Sequence, residues 1–463
     1  VSMRTTKRDG VVSMRTTKRD GVVSMRTTKH DGVVRQGAAD ESMSHEPEKV
    51  LEGRNDMVGR VPRRLLPGRR TVAITGLSSL VVLAAACAED APQDTWDPAG
   101  PNAQKIHNLQ WPVFSIAGLI LLTVAATVLF CVIRFRDRGQ PIPKQTHGRP
   151  ALEIGLTILP AVILIGVAIP TVGTLMALAK TDDTECYVNV TGQQWWWEYD
   201  YPVQEGCGGI DTPIVTSGQM VIPTGTKVLM RGTSRDVIHS FWVPRLNGKK
   251  DVVPGRVHTL RLEADEPGIY AGQCAEFCGL SHANMRMEIV ALEPEDFERW
   301  KANQLAPYEP PEPGTLAAQG EQTFIAQCSR CHQIDGLTDA DGNPVIATPE
   351  QFVYSESAPN LTHLMSRNTF AGATWDLLTK ECRDRVWNAP PEEFGERYLE
   401  GVTPECLNEV DLREWLRNAP AKKPMYTEAT ELGPTDGKTR GMPYLALSED
   451  QIDQLIAYLL ERK

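Results

Sequence analysis

Two uncharged apolar stretches constrain this chain more than any other feature. Pro112 to Ile133 runs 22 residues without a charge, and Ile154 to Ala179 runs 26, interrupted only by Pro160 and Pro170. Hydrocarbon offers no water to backbone polar groups, so segments of this kind must satisfy themselves as helices. Each is long enough to cross the roughly 30 Å core of a bilayer. The flanks set the orientation. Arg134, Arg136, Arg138, Lys144 and Arg149 lie between the stretches, opposed only by Asp137 and Glu153. Glu89, Asp90, Asp94 and Asp97 precede the first, and Asp182, Asp183 and Glu185 follow the second. Basic residues remain on the cytoplasmic side. The expectation is a transmembrane hairpin: an extracytoplasmic segment 87–110, helices at 111–134 and 151–179, and a cytoplasmic loop 135–150. Everything from residue 180 onward then lies outside, where disulfides are permitted.

The N-terminus reads differently. An eleven-residue unit, VSMRTTKRDGV, begins at Val1, repeats from Val12 and returns from Val23 with His30 in place of Arg. It carries almost no apolar content and has no face to bury, so residues 1–56 read as a disordered repeat region. Met57 is a more conventional beginning, and residues 1–56 are expected to lie upstream of the true start. Mass spectrometry of the native N-terminus tests this; any peptide from 1–56 overturns it. Residues 57–86 read as a signal peptide: Arg63-Arg64 and Arg69-Arg70, then the apolar stretch Thr71–Ala86, then Cys87. The small-residue run before Cys87 resembles a lipoprotein signal, although Leu83 sits one place early; plain cleavage and an uncleaved anchor remain open.

The charge is uneven. The first 70 residues carry 16 Lys+Arg against 9 Asp+Glu, and the rest 32 against 50. An acidic body excludes nucleic acid as the main partner and favours a basic one. Residues 180–297 read as β, with β-branched runs at Tyr187–Val190, Lys227–Met230, Val257–Leu262 and Met287–Leu292. A proline-dense linker covers 298–313, and 314–463 reads as α, closing on a helix in which Ile452, Leu455, Ile456 and Leu459 recur at helical spacing. Ten cysteines are too few for a disulfide scaffold. Cys186 and Cys207 flank an aromatic segment, and Cys382 and Cys406 share the α half. Both pairs lie outside the membrane and are expected as disulfides. Cys131 lies in a span and is expected to be inert.

The densest chemistry is Cys274-Ala-Glu-Phe-Cys278-Gly-Leu-Ser-His282-Ala-Asn-Met285. Thiolate, imidazole and thioether within twelve residues suit a copper electron-transfer site. Two cysteines suggest two metals bridged by two sulfurs, and His239 is the upstream candidate for a further ligand. A Cys274–Cys278 disulfide or a zinc site would require neither the Met, the Glu nor the upstream His together. On these residues the chain resembles cytochrome c oxidase subunit II, whose cupredoxin domain carries C-x-E-x-C-x-x-x-H-x-x-M. The resemblance implies a binuclear CuA centre bridged by Cys274 and Cys278. His239 and His282 would each bind one copper, with Met285 and the Glu276 carbonyl as weak ligands. It implies that the Glu276 carboxylate faces subunit I and a Mg²⁺ ion there. In Gly192-Gln-Gln-Trp195-Trp196-Trp197-Glu-Tyr199-Asp-Tyr201, Trp195 matches the place where the family's electrons enter CuA and Trp196 departs from the usual Tyr; Trp195 reads equally as part of an aromatic core or membrane-interface belt, which is the expected role of Trp196, Trp197, Tyr199 and Tyr201. Glu153 matches a residue at the mouth of a proton path, and a lone Glu at a helix end also simply snorkels.

Cys328-Ser-Arg-Cys331-His332 is C-x-x-C-H, the haem c attachment signature; a redox CxxC is the alternative. Gly320 and Phe324 precede it at spacings common in class I cytochromes c. Met442 before the closing helix is the expected axial thioether, with Met425 and Met365 as competitors, since Met/His ligation raises the potential. His363 in Pro359-Asn-Leu-Thr-His363 reads as structural. The fold class is therefore a multidomain membrane protein: a two-helix hairpin, a β-sandwich cupredoxin domain, and an all-α class I cytochrome c domain.

The combination resembles the haem-c-fused, caa3-type branch of the haem-copper oxidases. It implies passage of electrons from an external cytochrome c or a bc-type complex, through haem c and CuA, to haem a of subunit I. There oxygen is reduced to water with proton pumping. Partners implied are subunits I and III and membrane lipid, in a bacterial cell membrane, with the copper and haem domains on the extracytoplasmic face. The alternative is a membrane-anchored CuA and haem c protein serving another terminal reductase.

Overall fold

The computed structural model describes residues 91–463 except 140, 142–143, 146, 208, 346–357 and 428–439, together with a short antiparallel pairing of Lys18–Arg19 with Val22–Val23. The signal segment 57–86 and nearly all of the repeat region 1–56 lie outside the described residues.

Helix α1 spans Pro101–Arg134 and α2 spans Pro150–Leu178. Both are long and apolar enough to cross a membrane. Leu121, Leu122, Leu164 and Ile169 face away from the rest of the chain, as lipid-facing residues must. Helix α1 begins ten residues earlier than its apolar stretch predicts. Pro101 occupies the helix start, where its missing N–H costs nothing. The extra turns are held by the β domain: Asn102 is fully buried, its side chain receiving the Arg261 guanidinium (3.2 Å) and donating to the Arg261 carbonyl (3.3 Å). Ala103 N donates to the Leu246 carbonyl. Trp96 packs on Trp111 and Phe114, both at 5.3 Å, at this same end.

The β domain is built from two main sheets. Strands β1 (Cys186–Gln193), β2 (Trp196–Tyr201), β3 (Ile214–Ser217), β5 (Val228–Ser234) and β8 (His258–Leu262) form one, in the order β8-β5-β1-β2-β3. Strands β4 (Gln219–Pro223), β9 (Gly268–Gln273) and β10 (Arg286–Leu292) form the other, in the order β9-β10-β4. A short ribbon pairs β6 (His239–Phe241) with β7 (Lys250–Val252). Alternate residues of β1 turn inward, so Val188 and Val190 are fully buried beside Trp197, Tyr199 and Phe241. Trp197, Tyr199 and Tyr201 are thus core. Cys186–Cys207 ties β1 to the loop after β2, as expected from the sequence.

The first part of the expected linker is instead helix α3, Pro294–Gln304. Pro294 starts it, Glu295 and Asp296 complement its N-terminus, and Phe297 and Trp300 bury one face, Trp300 lying 5.2 Å from Tyr201.

The C-terminal domain joins α4 (Leu316–Gln327) to the closing helix α8 (Glu449–Leu460). Gly320 makes their crossing possible: a Cβ there would stand 2.0 Å from the Gln454 carbonyl oxygen. Phe324 packs 5.6 Å from Tyr458, and Ser448 closes a capping box with Gln451. Between them lie α5 (Lys380–Trp387), α6 (Pro391–Leu399) and α7 (Glu409–Lys422), with Cys382–Cys406 as the second expected disulfide. The all-α expectation is corrected in one place: Thr369–Phe370 pairs antiparallel with Trp375–Asp376. Phe370, Trp375 and Trp415 stabilise that ribbon as an aromatic cluster.

The β domain and the C-terminal domain share a polar seam. Arg286 N donates to the Gly372 carbonyl (3.0 Å), and Thr374 Oγ1 to that of Asn284 (2.7 Å). Arg367 Nη1 reaches Ser217 Oγ (2.8 Å). Gln219 Oε1 accepts from Asn368 N and the Tyr398 hydroxyl, while its amide donates to Glu288 at 2.6 Å. Burial pushes the Glu288 carboxyl up to about 7 from 4.5, against the pull of Gln219. The folded chain therefore retains a proton that the unfolded chain has lost, and stability falls as pH rises through that window. Glu288→Gln is expected to remove the loss, leaving stability near the parent's at pH 4 and above it by up to about 3 kcal/mol at pH 8, as read by thermal unfolding at both.

Candidate metal centre

The loop between β9 and β10 contains Cys274, Glu276, Cys278, His282 and Met285, and β6 brings His239 beneath it. The two sulfurs stand 3.8 Å apart. His239 Nδ1 lies 3.9 Å from Cys274 Sγ, and His282 Nδ1 lies 3.4 Å from Cys278 Sγ. Met285 Sδ is 3.8 Å from Cys278 Sγ, and the Glu276 carbonyl 3.3 Å from Cys274 Sγ. All six donors named from the sequence thus converge, one imidazole to each sulfur. Cys274 and Cys278 are not joined in a disulfide, whereas four other cysteines are.

Local chain geometry explains the convergence. Cys274 N donates to the Met285 carbonyl, closing the loop at its base, and Ala275 N donates to Ser240 on the β6 ribbon. His282 opens a single 3₁₀ turn ending at Asn284, so that Met285 turns back under the sulfurs. Gly272 allows the approach of β9 to Trp242, whose carbonyl oxygen a Cβ would meet at 2.4 Å.

The electrostatics mark a site built for cations. Two buried sulfurs this close cannot both ionise unaided. The neighbouring Cys278 thiol, with His239, brings Cys274 down to about 4 despite burial, and Cys274 in turn drives Cys278 up. Burial opposes a charge on His239, but Asp236, whose Oδ1 lies 2.8 Å from Nε2, and Cys274 together outweigh it and raise the imidazole's pKa. Asp236 also accepts from the backbone N–H of Gln194 (2.8 Å) and of Val237 (2.7 Å). It fixes the His239 ring so that Nδ1 faces the sulfurs.

Trp195 is buried, 2% exposed, and its indole N–H donates to the Cys278 carbonyl at 3.0 Å. Gln194 Nε2 donates to the same oxygen at 2.7 Å. Tyr426 of the C-terminal domain covers the indole, ring centroids 5.1 Å apart. The Lys423 ammonium donates to the carbonyls of Trp195 (2.9 Å) and Ala371 (2.7 Å), with burial pushing its pKa down to about 7. Asp236, Gln194, Lys423 and Tyr426 were not singled out from the sequence. Asp236 was findable, three residues before His239; Lys423 and Tyr426 lie about 150 residues from the loop and carry no motif.

In the C-terminal domain, Cys328, Cys331 and His332 form one turn after α4, with His332 N bonded to the Cys328 carbonyl. His332 Nδ1 donates to the Pro359 carbonyl at 2.8 Å, leaving Nε2 as the free donor atom. Met442 is half-buried against the shared core; the Met425 sulfur lies against Gly441; Met365 is fully buried. His363 Nδ1 bonds the Lys463 carbonyl, a structural role. Glu153 lies in the first turn of α2.

A membrane-anchored cupredoxin domain with a thiolate-rich loop defines a class of copper electron-transfer protein. The chain belongs to the cytochrome c oxidase subunit II family. The family's profile for "Cytochrome C oxidase subunit II, transmembrane domain" matches residues 90–173, and that for its periplasmic domain matches 186–292. Cytochrome c oxidase subunit 2 of Alkalihalophilus pseudofirmus is 34% identical over 84% of this chain and 96% of its own length. That of Bacillus sp. PS3 is 31% identical over 80% and 91%. Matches of this length extend well past Leu292 into the C-terminal domain. The solved periplasmic domain of subunit II from Bradyrhizobium japonicum is 27% identical over 27% of this chain and 96% of that one, with a TM-score of 0.25. The chain is thus a membrane-anchored part of a haem-copper oxidase, the subunit through which electrons enter, working with subunit I and holding the CuA copper centre.

Because Asp236 orients His239, Asp236→Asn is expected to weaken copper retention about 10–100-fold. Copper content after dialysis against a graded chelator checks this.

Proposed function

We propose that electrons from an external donor reach the copper centre by way of the chain's own C-terminal domain, and leave it for haem a of subunit I. The observation that carries the copper assignment is the convergence of His239, Cys274, Cys278, His282 and Met285 with the Glu276 carbonyl. Cys274 and Cys278 would bridge two coppers, with one imidazole on each. When bound, the pair supplies a one-electron store whose charge is shared over two metals. Around it the chain's residues do the rest. Asp236 holds His239 in one tautomer, Trp195 and Gln194 fix the Cys278 carbonyl, and burial excludes water.

Cys328 and Cys331 would hold a haem c through thioethers, with His332 and Met442 as axial ligands; when bound, it supplies a second one-electron station. What supports this is the chemistry of the donor set: two thiol side chains in one turn, outside both disulfides, with an imidazole whose Nδ1 is already committed to Pro359. Burial also pushes the Cys328 thiol up to about 12, so this sulfur suits an uncharged thioether. The Glu276 carboxylate would face subunit I and a Mg²⁺ ion, and Glu153 the mouth of its proton path. The acidic body of the chain suits a basic donor, a cytochrome c or bc-type complex. Subunit III, proton pumping, the bacterial membrane and the extracytoplasmic position of both domains complete the reading.

Metal analysis with EPR tests it. Purified protein is expected to carry two coppers with a mixed-valence signal, and iron that resists acid–acetone extraction. Cys328→Ala with Cys331→Ala should abolish the retained iron and leave the copper signal intact. Extractable iron in the parent, or fewer than two coppers per chain, overturns the assignment. A Met442→Leu protein that keeps a Met/His low-spin spectrum overturns the axial ligand.

A further inference from the structure

We propose that the Tyr426 ring is the bridge that couples the C-terminal domain to the copper centre, with Lys423 and Arg440 as the residues that seat it. The proposal rests on reading that domain as a haem carrier. Trp195 is sealed from solvent, so no external donor touches it; what touches it is Tyr426. From the indole the path is short and bonded: N–H to the Cys278 carbonyl at 3.0 Å, then along the residue to its sulfur. On the other side, Tyr426 pairs with Arg440, whose N–H donates to the Tyr426 carbonyl at 2.7 Å. Met425 packs its sulfur against Gly441, beside Met442. Tyr426 thus belongs to the paired segments that carry Met425 and Met442, and its ring meets the indole bonded to the Cys278 carbonyl.

Two contacts hold it there. Lys423, three residues before Tyr426, bonds one carbonyl from each domain, Trp195 and Ala371. Arg440 Nε lies 3.7 Å from Asp236 Oδ2, the carboxylate whose other oxygen orients His239. One pair of residues, Tyr426 and Arg440, thus reaches the second coordination layer of both copper ligands' ends, the carbonyl of Cys278 and the ring of His239. Electronic coupling falls steeply across an empty gap and less steeply through bonds, hydrogen bonds and adjoining π systems. An aromatic ring at this place shortens the gap that would otherwise separate the domains. The transfer balances as one electron lost by iron and one gained by the copper pair, with no bond made or broken and no proton moved.

The test uses the complete oxidase. Rapid photoreduction of haem c, followed by the near-infrared band of CuA, gives the interdomain rate. Tyr426→Phe is expected to keep the parent rate, because the ring is retained. Tyr426→Leu is expected to slow it several-fold with both reduction potentials and the copper EPR signal unchanged. Lys423→Met, a second variant that leaves the ring in place, is expected to slow the rate and to quicken amide hydrogen exchange over residues 280–286 at the seam. A parent rate in Tyr426→Leu overturns the bridge, as does slowing that appears only with an altered copper signal or potential. A parent rate with parent exchange in Lys423→Met overturns the seating role. Absence of covalently retained iron in the parent overturns the haem reading and the bridge together, whereas retained iron with an unslowed Tyr426→Leu overturns the bridge alone.

Discussion

Two cysteine sulfurs held 3.8 Å apart inside a buried loop are the constraint on which the rest of this structure depends. Left to themselves they compete for one negative charge in a medium that solvates neither, and one thiol's pKa falls while the other's rises. A pair of cations relieves both, which is why the surrounding residues are arranged as donors. The sandwich supplies the rigidity: β9 and β10 clamp the loop's ends, the β6 ribbon delivers His239 from below, and Asp236 prevents its ring from turning. A site of this kind changes little when an electron arrives, because its ligands are already fixed by the fold.

The same logic extends outward. The β domain is fastened to the membrane hairpin through Asn102 and Arg261, and to the C-terminal domain through a seam of hydrogen bonds around Gln219, Arg286 and Lys423. Buried polar contacts of this type contribute modestly to stability but are costly to leave unmade, so they select one arrangement of the domains. For a subunit through which electrons enter, a fixed arrangement around the copper centre matters more than tightness.

Much of this was legible in the residues themselves. The membrane helices follow from uncharged length, the converging donors of the loop from a dense motif, and both disulfides from cysteine pairs beyond the second apolar span. Boundaries were less legible. Helix α1 runs back to Pro101 because Asn102 and Ala103 find partners in a domain that begins some 80 residues later, and the linker's first part folds as α3 because Phe297 and Trp300 find a surface to cover. The short ribbon at Thr369–Asp376 was missed because its stability comes from Trp415, far along the chain.

By itself the sequence determined what kinds of atoms this protein could present and roughly where: two thiols, an imidazole and a thioether on one loop, a second cysteine pair with its histidine, and a basic loop between two apolar spans. Those properties are local, so they can be read from spacing. Only the tertiary structure decided that Trp195 is roofed by Tyr426, that Lys423 bonds carbonyls from two domains, and that Arg440 approaches the carboxylate behind His239. The pairings that cross between the two domains join residues about 200 or more apart in the chain, and no local pattern encodes them. They arise because burying the polar groups at the seam demands partners, and only one docking of the two domains supplies them.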